Sequence, residues 1–273
     1  MSQNRQVLLR SVPTYRELAR PVVARVETLV PGSMTPWHCH DWWQLSWAFS
    51  GVLSLSTRQA TFIAPPQRAI WIPPGIEHQA HNVSQTEMRS LYVARELVPE
   101  DAGARCRVLG MTPLIRELIV AVSGLPPDYA TEGPDWRMIQ VLLDQLLQRP
   151  ELAFDLPHPE DGRLLGICQR LQQTPDDPRT LEEWAHWAGL SARNLSRLFM
   201  QQTGISFGDW RQRLRLLLAL EALERGDRVT HVALDSGYQS PSAFIAAFRR
   251  TFGMTPSAMF KRVATADRQN RNV

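Results

Sequence analysis

The stretches "SARNLSRLFMQQTG" (191–204) and "SPSAFIAAFRRTFG" (240–253) repeat one pattern at an offset of 49 residues. Ser191 falls over Ser240, Phe199 over Phe248 and Gly204 over Gly253. A short helical segment precedes each: "TLEEWAHWAGL" (180–190) and "THVALDSGYQ" (230–239). In both, an alanine stands four residues before the turn glycine, Ala185 before Gly189 and Ala233 before Gly237. A small residue there lets two helices approach closely, and the glycine supplies the tight turn. Ser191 and Ser240 suit N-cap positions, Pro241 suits the first helical position, and Thr180 with Glu183 forms a capping box. Gly204 and Gly253 stand where a helix-ending glycine belongs. Local chemistry alone therefore predicts two helix–turn–helix units, at 180–204 and 229–253.

Between them, "FGDWRQRLRLLLALEALERG" (207–226) reads as one amphipathic helix, started near Ser206 and stopped at Gly226. A helix of ~18 residues at 1.5 Å rise is roughly 27 Å long. Such a rod would hold two recognition helices about one DNA turn apart, ~34 Å, on one face of the duplex. The charge distribution agrees. Residues 1–160 carry 14 Lys+Arg against 16 Asp+Glu, whereas 161–273 carry 16 against 11, so the basic excess sits in the C-terminal part. An all-α bundle without a nucleic-acid role is the competing reading; duplication, rod and charge together disfavour it.

Residues 162–263 resemble the DNA-binding domain of the AraC/XylS family of bacterial transcription regulators. The stretch "LRLLLALEALERGDRVTHVALDSGYQSPSAFIAAFRRTFGMTPSAMF" follows that family's pattern almost position by position. The resemblance implies sequence-specific promoter binding, with RNA polymerase as a partner if the protein activates.

In the first recognition helix, Leu195, Leu198 and Phe199 form the apolar stripe, which leaves Arg193, Asn194, Ser196, Arg197 and Gln201 to face DNA. Arg193 and Arg197, four apart, share a face and reach guanine edges or phosphates. In the second, Phe244, Ala247, Phe248 and Phe252 are core, and Ser242, Ala243 and Ala246 occupy the outer N-terminal part. Many family members carry a larger polar residue or arginine where this chain has Ala246. The second helix is thus expected to read little by hydrogen bonding, with Arg249 and Arg250 on the DNA backbone.

Residues 20–98 read differently. "PVVARVETLV", "QLSWAFSGVLSLST", "QATFIAP", "RAIWIPP" and "EMRSLYVARELV" are short β-branched and aromatic runs punctuated by Pro or Gly, the pattern of an all-β sandwich or barrel. Helical spacing follows, at Leu114, Leu118 and Val122 and then at Ile139, Leu142, Leu143 and Leu146. Those helices cover the barrel or form a homodimer face. The prolines of "RPELAFDLPHPED" (149–161) mark a linker. The fold expected is two-domain: an all-β barrel followed by helices, then an all-α domain with two helix–turn–helix units. Its parts are a sensor at 1–108, a helical linker and dimerisation segment at 109–160, and a DNA-binding domain at 161–273.

"GSMTPWHCHDWWQLSWAFSG" (32–51) is similar to the first conserved motif of the cupin superfamily, with Gln44 where a glutamate ligand normally stands. "PPGIEHQAHN" (73–82) matches the second through Pro73, Gly75, His78 and Asn82, although Gln67 replaces its usual opening glycine. Alternation along a strand turns His38, His40 and Gln44 inward and Cys39 outward. His78 would complete three imidazoles and an amide, a set suited to Zn, Fe, Ni or Cu. The alternative is a hydrogen-bonded cluster or a set of ligand contacts without metal. His81 falls outside the spacing. Trp37, Trp42, Trp43, Trp47 and Trp71 crowd the same region, and Trp42, Trp47 and Trp71 are candidate pocket walls for a small-molecule effector.

Three cysteines, Cys39, Cys106 and Cys168, without CxxC spacing imply no disulfide framework, so a reducing, cytoplasmic location is expected. The function expected is a promoter-binding regulator, not an enzyme, tuned by a small molecule or metal in the barrel. The alternative is a metal-dependent cupin enzyme, a dioxygenase or isomerase, with a DNA-binding tail; Gln44 in place of a carboxylate weighs against it. A nucleoid-type binder would leave the barrel idle.

Overall fold

The computed structural model describes residues 8–12, 17–82 and 84–260. The strands are β1 (Leu8–Leu9), β2 (Val22–Leu29), β3 (Ser33–Met34), β4 (Trp43–Ser50), β5 (Leu53–Thr57) and β6 (Ala60–Ala64). They continue with β7 (Arg68–Ile72), β8 (His78–His81), β9 (Thr86–Val93), β10 (Arg107–Gly110), β11 (Glu151–Leu152) and β12 (Asp155–Pro157). Two six-stranded sheets result, in the orders β1-β3-β8-β5-β6-β12 and β11-β10-β7-β4-β9-β2. The sheets are not joined into a closed barrel, so the expected cupin-like barrel is a two-layered sandwich.

Parity along the strands assigns each face. In β4, Ala48 packs with Leu53, Leu55 and Phe62 of the opposite sheet, while Leu45 and Trp47 face the other way. That outer face is covered by α1 (Pro113–Ser123) and α2 (Pro134–Leu147), through Ile115, Ile119, Ile139, Leu142 and Leu146. The second sheet is therefore buried on both faces, which is why "WQLSWAFS" and "RAIWI" lack clean alternation. The predicted stripe of α2 is the buried one, but that of α1 is not. Ile115, Ile119 and Val122 are buried there, whereas Leu114 is 52% exposed and Leu118 only half-buried. Thr112 caps the helix by accepting from the Ile115 N–H, with Pro113 at the first position. That start sets a helical phase one residue away from the one periodicity suggested.

The long run "QLSWAFSGVLSLST" is not one strand. At Gly51 the chain turns with φ +81° to separate β4 from β5, and a Cβ there would lie 2.6 Å from the Gln85 carbonyl oxygen. Only glycine fits.

The C-terminal helices are α3 (Gly162–Gln173), α4 (Leu181–Trp187), α5 (Ala192–Thr203), α6 (Phe207–Arg225), α7 (Val229–Asp235), α8 (Pro241–Phe252) and α9 (Pro256–Met259). The expected caps are present. Ser191 and Ser240 accept from the Asn194 and Ala243 N–H groups, and Thr180 with Glu183 closes its box. Gly204 and Gly253 are left-handed, at φ 73° and 76°. At 19 residues, α6 is the rod between the two units.

The proline-rich stretch read as a linker also forms β11 and β12, which extend the two sheets by pairing with β10 and β6. Phe154 between them is 1% exposed. Its ring stacks on Phe252 of α8 at 4.5 Å, and the Arg68 guanidinium lies 4.9 Å from its centre. Nearby, the Trp210 indole donates to the Pro157 carbonyl (2.8 Å), and Arg213 pairs with Asp155 at 3.3 Å. Strand and helix cores thus form one continuous apolar cluster. Phe154→Ala is expected to lower unfolding free energy by about 3–5 kcal/mol in urea melts. A loss below ~1 kcal/mol would mean that the joint does not depend on this ring.

Candidate nucleic-acid interface and sensor cavity

Each recognition helix turns its apolar stripe inward and leaves the opposite face bare. On α5, Leu195 and Phe199 are buried, and Arg193, Asn194, Ser196, Arg197 and Gln201 are all exposed. Arg197 donates to the Gln201 side chain at 3.3 Å, so these two share one face a turn apart. On α8, Phe244, Ala247, Phe248 and Phe252 are buried, and Ser242, Ala243, Ala246, Arg249 and Arg250 are exposed. Arg250 is tied to α6 through the Gln212 amide oxygen (2.9 Å).

One residue of this face was not picked out by sequence reasoning. Ile245, 36% exposed, lines up with Ser242, Ala246 and Arg249 at spacings of three, four and seven. Its signal was an isoleucine lying outside the phenylalanine stripe. An apolar face of this kind suits thymine methyl groups.

In the N-terminal domain the two histidine motifs meet. His38 forms an isolated antiparallel bridge with His78: its N–H donates to the His78 carbonyl (3.0 Å), and its carbonyl accepts from the His78 N–H (2.8 Å). The Gly75 N–H holds the His40 carbonyl (2.8 Å). Ring centres lie 4.3 Å apart for His38 and His78, 5.1 Å for His40 and His78, and 6.3 Å for His38 and His40. Gln44 joins at 2.7 Å from His40 Nε2 and donates to the Ser46 hydroxyl (2.7 Å). Cys39 is exposed and takes no part.

The Nδ1 atoms of His38 and His78 donate to the carbonyls of Pro36 (2.9 Å) and Ile76 (2.8 Å), which leaves a lone pair on Nε2 of each neutral ring. His40 instead lies between two acceptors, the Trp42 carbonyl at Nδ1 (2.9 Å) and the Gln44 amide oxygen at Nε2 (2.7 Å), and its neutral ring donates to one of them. Burial lowers all three histidine pKa values. His78, 1% exposed, falls to about 3, with His38 and His40 adding smaller like-charge effects. Its Nε2 has no partner.

These tautomers and donors fit a transition-metal ion. The positions do not: among the described residues, no group of three or more His, Cys, Asp or Glu side chains is arranged to hold one. The cluster stands as a hydrogen-bonded wall of a narrow cavity open to solvent.

Trp42 also lines that cavity, its ring stacked on His40 at 5.1 Å. The expectation for Trp47 and Trp71 is corrected. Gln44 faces the cavity, so parity turns Trp47 to the helix side, where its indole donates to the Pro66 carbonyl (2.8 Å). Trp71, paired across from Leu45, stacks on Trp43 (5.4 Å) beneath the same helices. The remaining wall includes Arg10, Arg25, Glu27 and Tyr92. Arg25 and Glu27 alternate along β2 and so share its inner face; Arg10 comes from a segment where the sequence offered no pattern.

A helix-turn-helix domain family matches residues 184–262, and an AraC-like ligand binding domain family matches 20–147. The chain is 34% identical over 236 residues to the HTH-type transcriptional regulator NimR of Escherichia coli strain K12, covering 86% of both chains. It is 39% identical over 102 residues to the HTH-type transcriptional regulator RipA of Corynebacterium glutamicum, 37% of this chain and 30% of that one. ToxT from Vibrio cholerae superposes with a TM-score of 0.38 at 9% identity, over 89% of this chain and 98% of the other. That last likeness is too loose to assign a role to any residue.

The two exposed faces differ in kind, one polar and charged, one largely apolar. Arg197→Ala is expected to cost ~1–3 kcal/mol of discrimination at one base pair, measured as affinity across single-substituted duplexes. Arg249→Ala should instead weaken all sequences alike and flatten the salt dependence. An unchanged base preference in Arg197→Ala would contradict this division.

Proposed function

The chain belongs to the AraC family of helix-turn-helix transcription regulators and carries an N-terminal ligand-binding domain, and we propose how its parts work. The helix α5 reads base edges through Arg193, Asn194, Ser196, Arg197 and Gln201. The helix α8 adds apolar and backbone contacts through Ser242, Ala243, Ala246, Arg249 and Arg250, in the adjacent major groove. The observation that carries this reading is the pair of bare faces at either side of α6, each backed by buried phenylalanines. The regulator divides into a sensor at 1–108, a segment at 109–160 that is helical through α1 and α2 and then returns to the sheets as β11 and β12, and a DNA-binding unit at 161–273.

The cavity walled by His38, His40, Gln44, His78 and Trp42 takes the effector, a small molecule. A metal held by His38, His40, His78 and the Gln44 amide is the alternative occupant, and the positions of those side chains speak against it. Regulation rather than catalysis suits the polar lining. Among the described residues its one carboxylate, Glu27, is engaged by Arg25 at 2.7 Å, and burial holds the imidazoles below their usual pKa. The exposed Leu114 and Val141 on α1 and α2 offer a homodimer face. RNA polymerase is the further partner at activated promoters. Among the described residues no helix is long and apolar enough to cross a membrane, and a cytoplasmic site of action fits promoter binding.

Mapping of bound sites across the genome, in parallel with transcript changes on deletion, tests this. Bound loci should share one motif upstream of the transcription units that respond. Uniform coverage without a motif would overturn the reading. Repeating the promoter shift with chelator settles the metal: unchanged binding and an unchanged effector response would remove it from the account.

A further inference from the structure

One guanidinium in the cavity wall, that of Arg10, has an edge without a partner. The Arg10 side chain is 10% exposed, and its Nε and Nη2 atoms are buried without a hydrogen-bond partner. Those two atoms form the side-on edge of the guanidinium, the edge that grips a carboxylate through two parallel bonds. Among the described residues its one ion-pair partner is Glu27, at 3.8 Å from Nη1, too far for a hydrogen bond and on the wrong edge. Glu27 is meanwhile committed to Arg25 at 2.7 Å. Two guanidiniums and one carboxylate leave the wall with a surplus positive charge. A buried charge without its counter-charge is strongly unfavourable, so the site favours a ligand that supplies one.

From these positions we infer that the effector is a small carboxylate that also bears a hydroxyl or amino hydrogen. Arg10 binds its carboxylate, and the His78 Nε2 lone pair accepts its hydrogen. This rests on the sensor reading of the cavity. A neutral polyol would satisfy the histidines and leave Arg10 uncompensated. A cation would meet Arg10 and Arg25. A phosphate monoester dianion would bring charge but no hydrogen for the His78 Nε2 lone pair.

The test is thermal melting of the full chain at constant ionic strength, with chelator throughout so that no metal carries the ligand. Sodium glycolate, sodium acetate and the neutral match glycolamide serve as probes. Tm should rise saturably with glycolate, less with acetate, and not at all with glycolamide. Arg10→Gln should abolish the glycolate shift. Arg10→Lys, which keeps the charge and loses the fork, should raise the half-saturating concentration about tenfold. No shift with either carboxylate, an equal shift with glycolamide, or a full shift in Arg10→Gln overturns the inference. If Arg10→Gln does not fold, the probe comparison on the wild type and the Arg10→Lys titration decide. Affinity of the unliganded wild type for a promoter duplex, measured alongside, tests the regulator reading separately.

Discussion

The burial of Phe154 joins the two halves of the molecule. Its ring lies between the Arg68 guanidinium, from the sandwich, and Phe252, from the last long helix of the DNA-binding unit. Withdrawing the helices would expose a full aromatic face on each side, so the halves stay together while that contact persists. The contact is also connected to the cavity. His78 lies on β8, which pairs with β5, then β6, then β12, the strand that begins beside Phe154. A further bond crosses the same boundary, from the Gly51 N–H to the Glu224 carboxylate at 3.1 Å. An effector shifts DNA affinity only by its differential binding to two arrangements of such a joint. The hydrogen-bonded ladder from β8 to β12 gives that difference a physical route.

The DNA-binding unit solves a separate problem, which is to expose two recognition helices without losing their cores. Paired phenylalanines do the anchoring, Phe199 against Phe207 and Trp210 in the first unit and Phe248 against Phe244 and Phe252 in the second. Because the anchors are large and fully inward, small residues such as Ala243 and Ala246 suffice on the outer face of α8. The first helix keeps hydrogen-bonding side chains, the chemistry that the proposed base readout requires.

Much of this was legible from residues alone, wherever local chemistry decides. Caps at Thr180, Ser191 and Ser240 and stops at Gly204 and Gly253 depend only on neighbours in sequence, and they stand where the pattern put them. The histidines of two motifs likewise meet across β8. What escaped depends on distant partners. Trp47 and Trp71 looked like pocket walls because sequence does not say which face of a doubly buried sheet meets helices and which meets a cavity. The strands at 151–157 exist because neighbouring strands offer edges, and their prolines pointed the other way. Arg10 had no pattern around it. Its importance comes from a missing partner in three dimensions.

The central claim is that one rigid helix, α6, sets two recognition helices on one face of DNA. At 19 residues and 1.5 Å rise it is roughly 28 Å long, close to the ~34 Å of one duplex turn. Hydroxyl-radical footprinting of the full chain on a bound promoter measures this directly. The account predicts two protected patches about one helical turn apart on the same face, with the patch under α5 more sensitive to base substitution. A single patch, or two on opposite faces of the duplex, would contradict it.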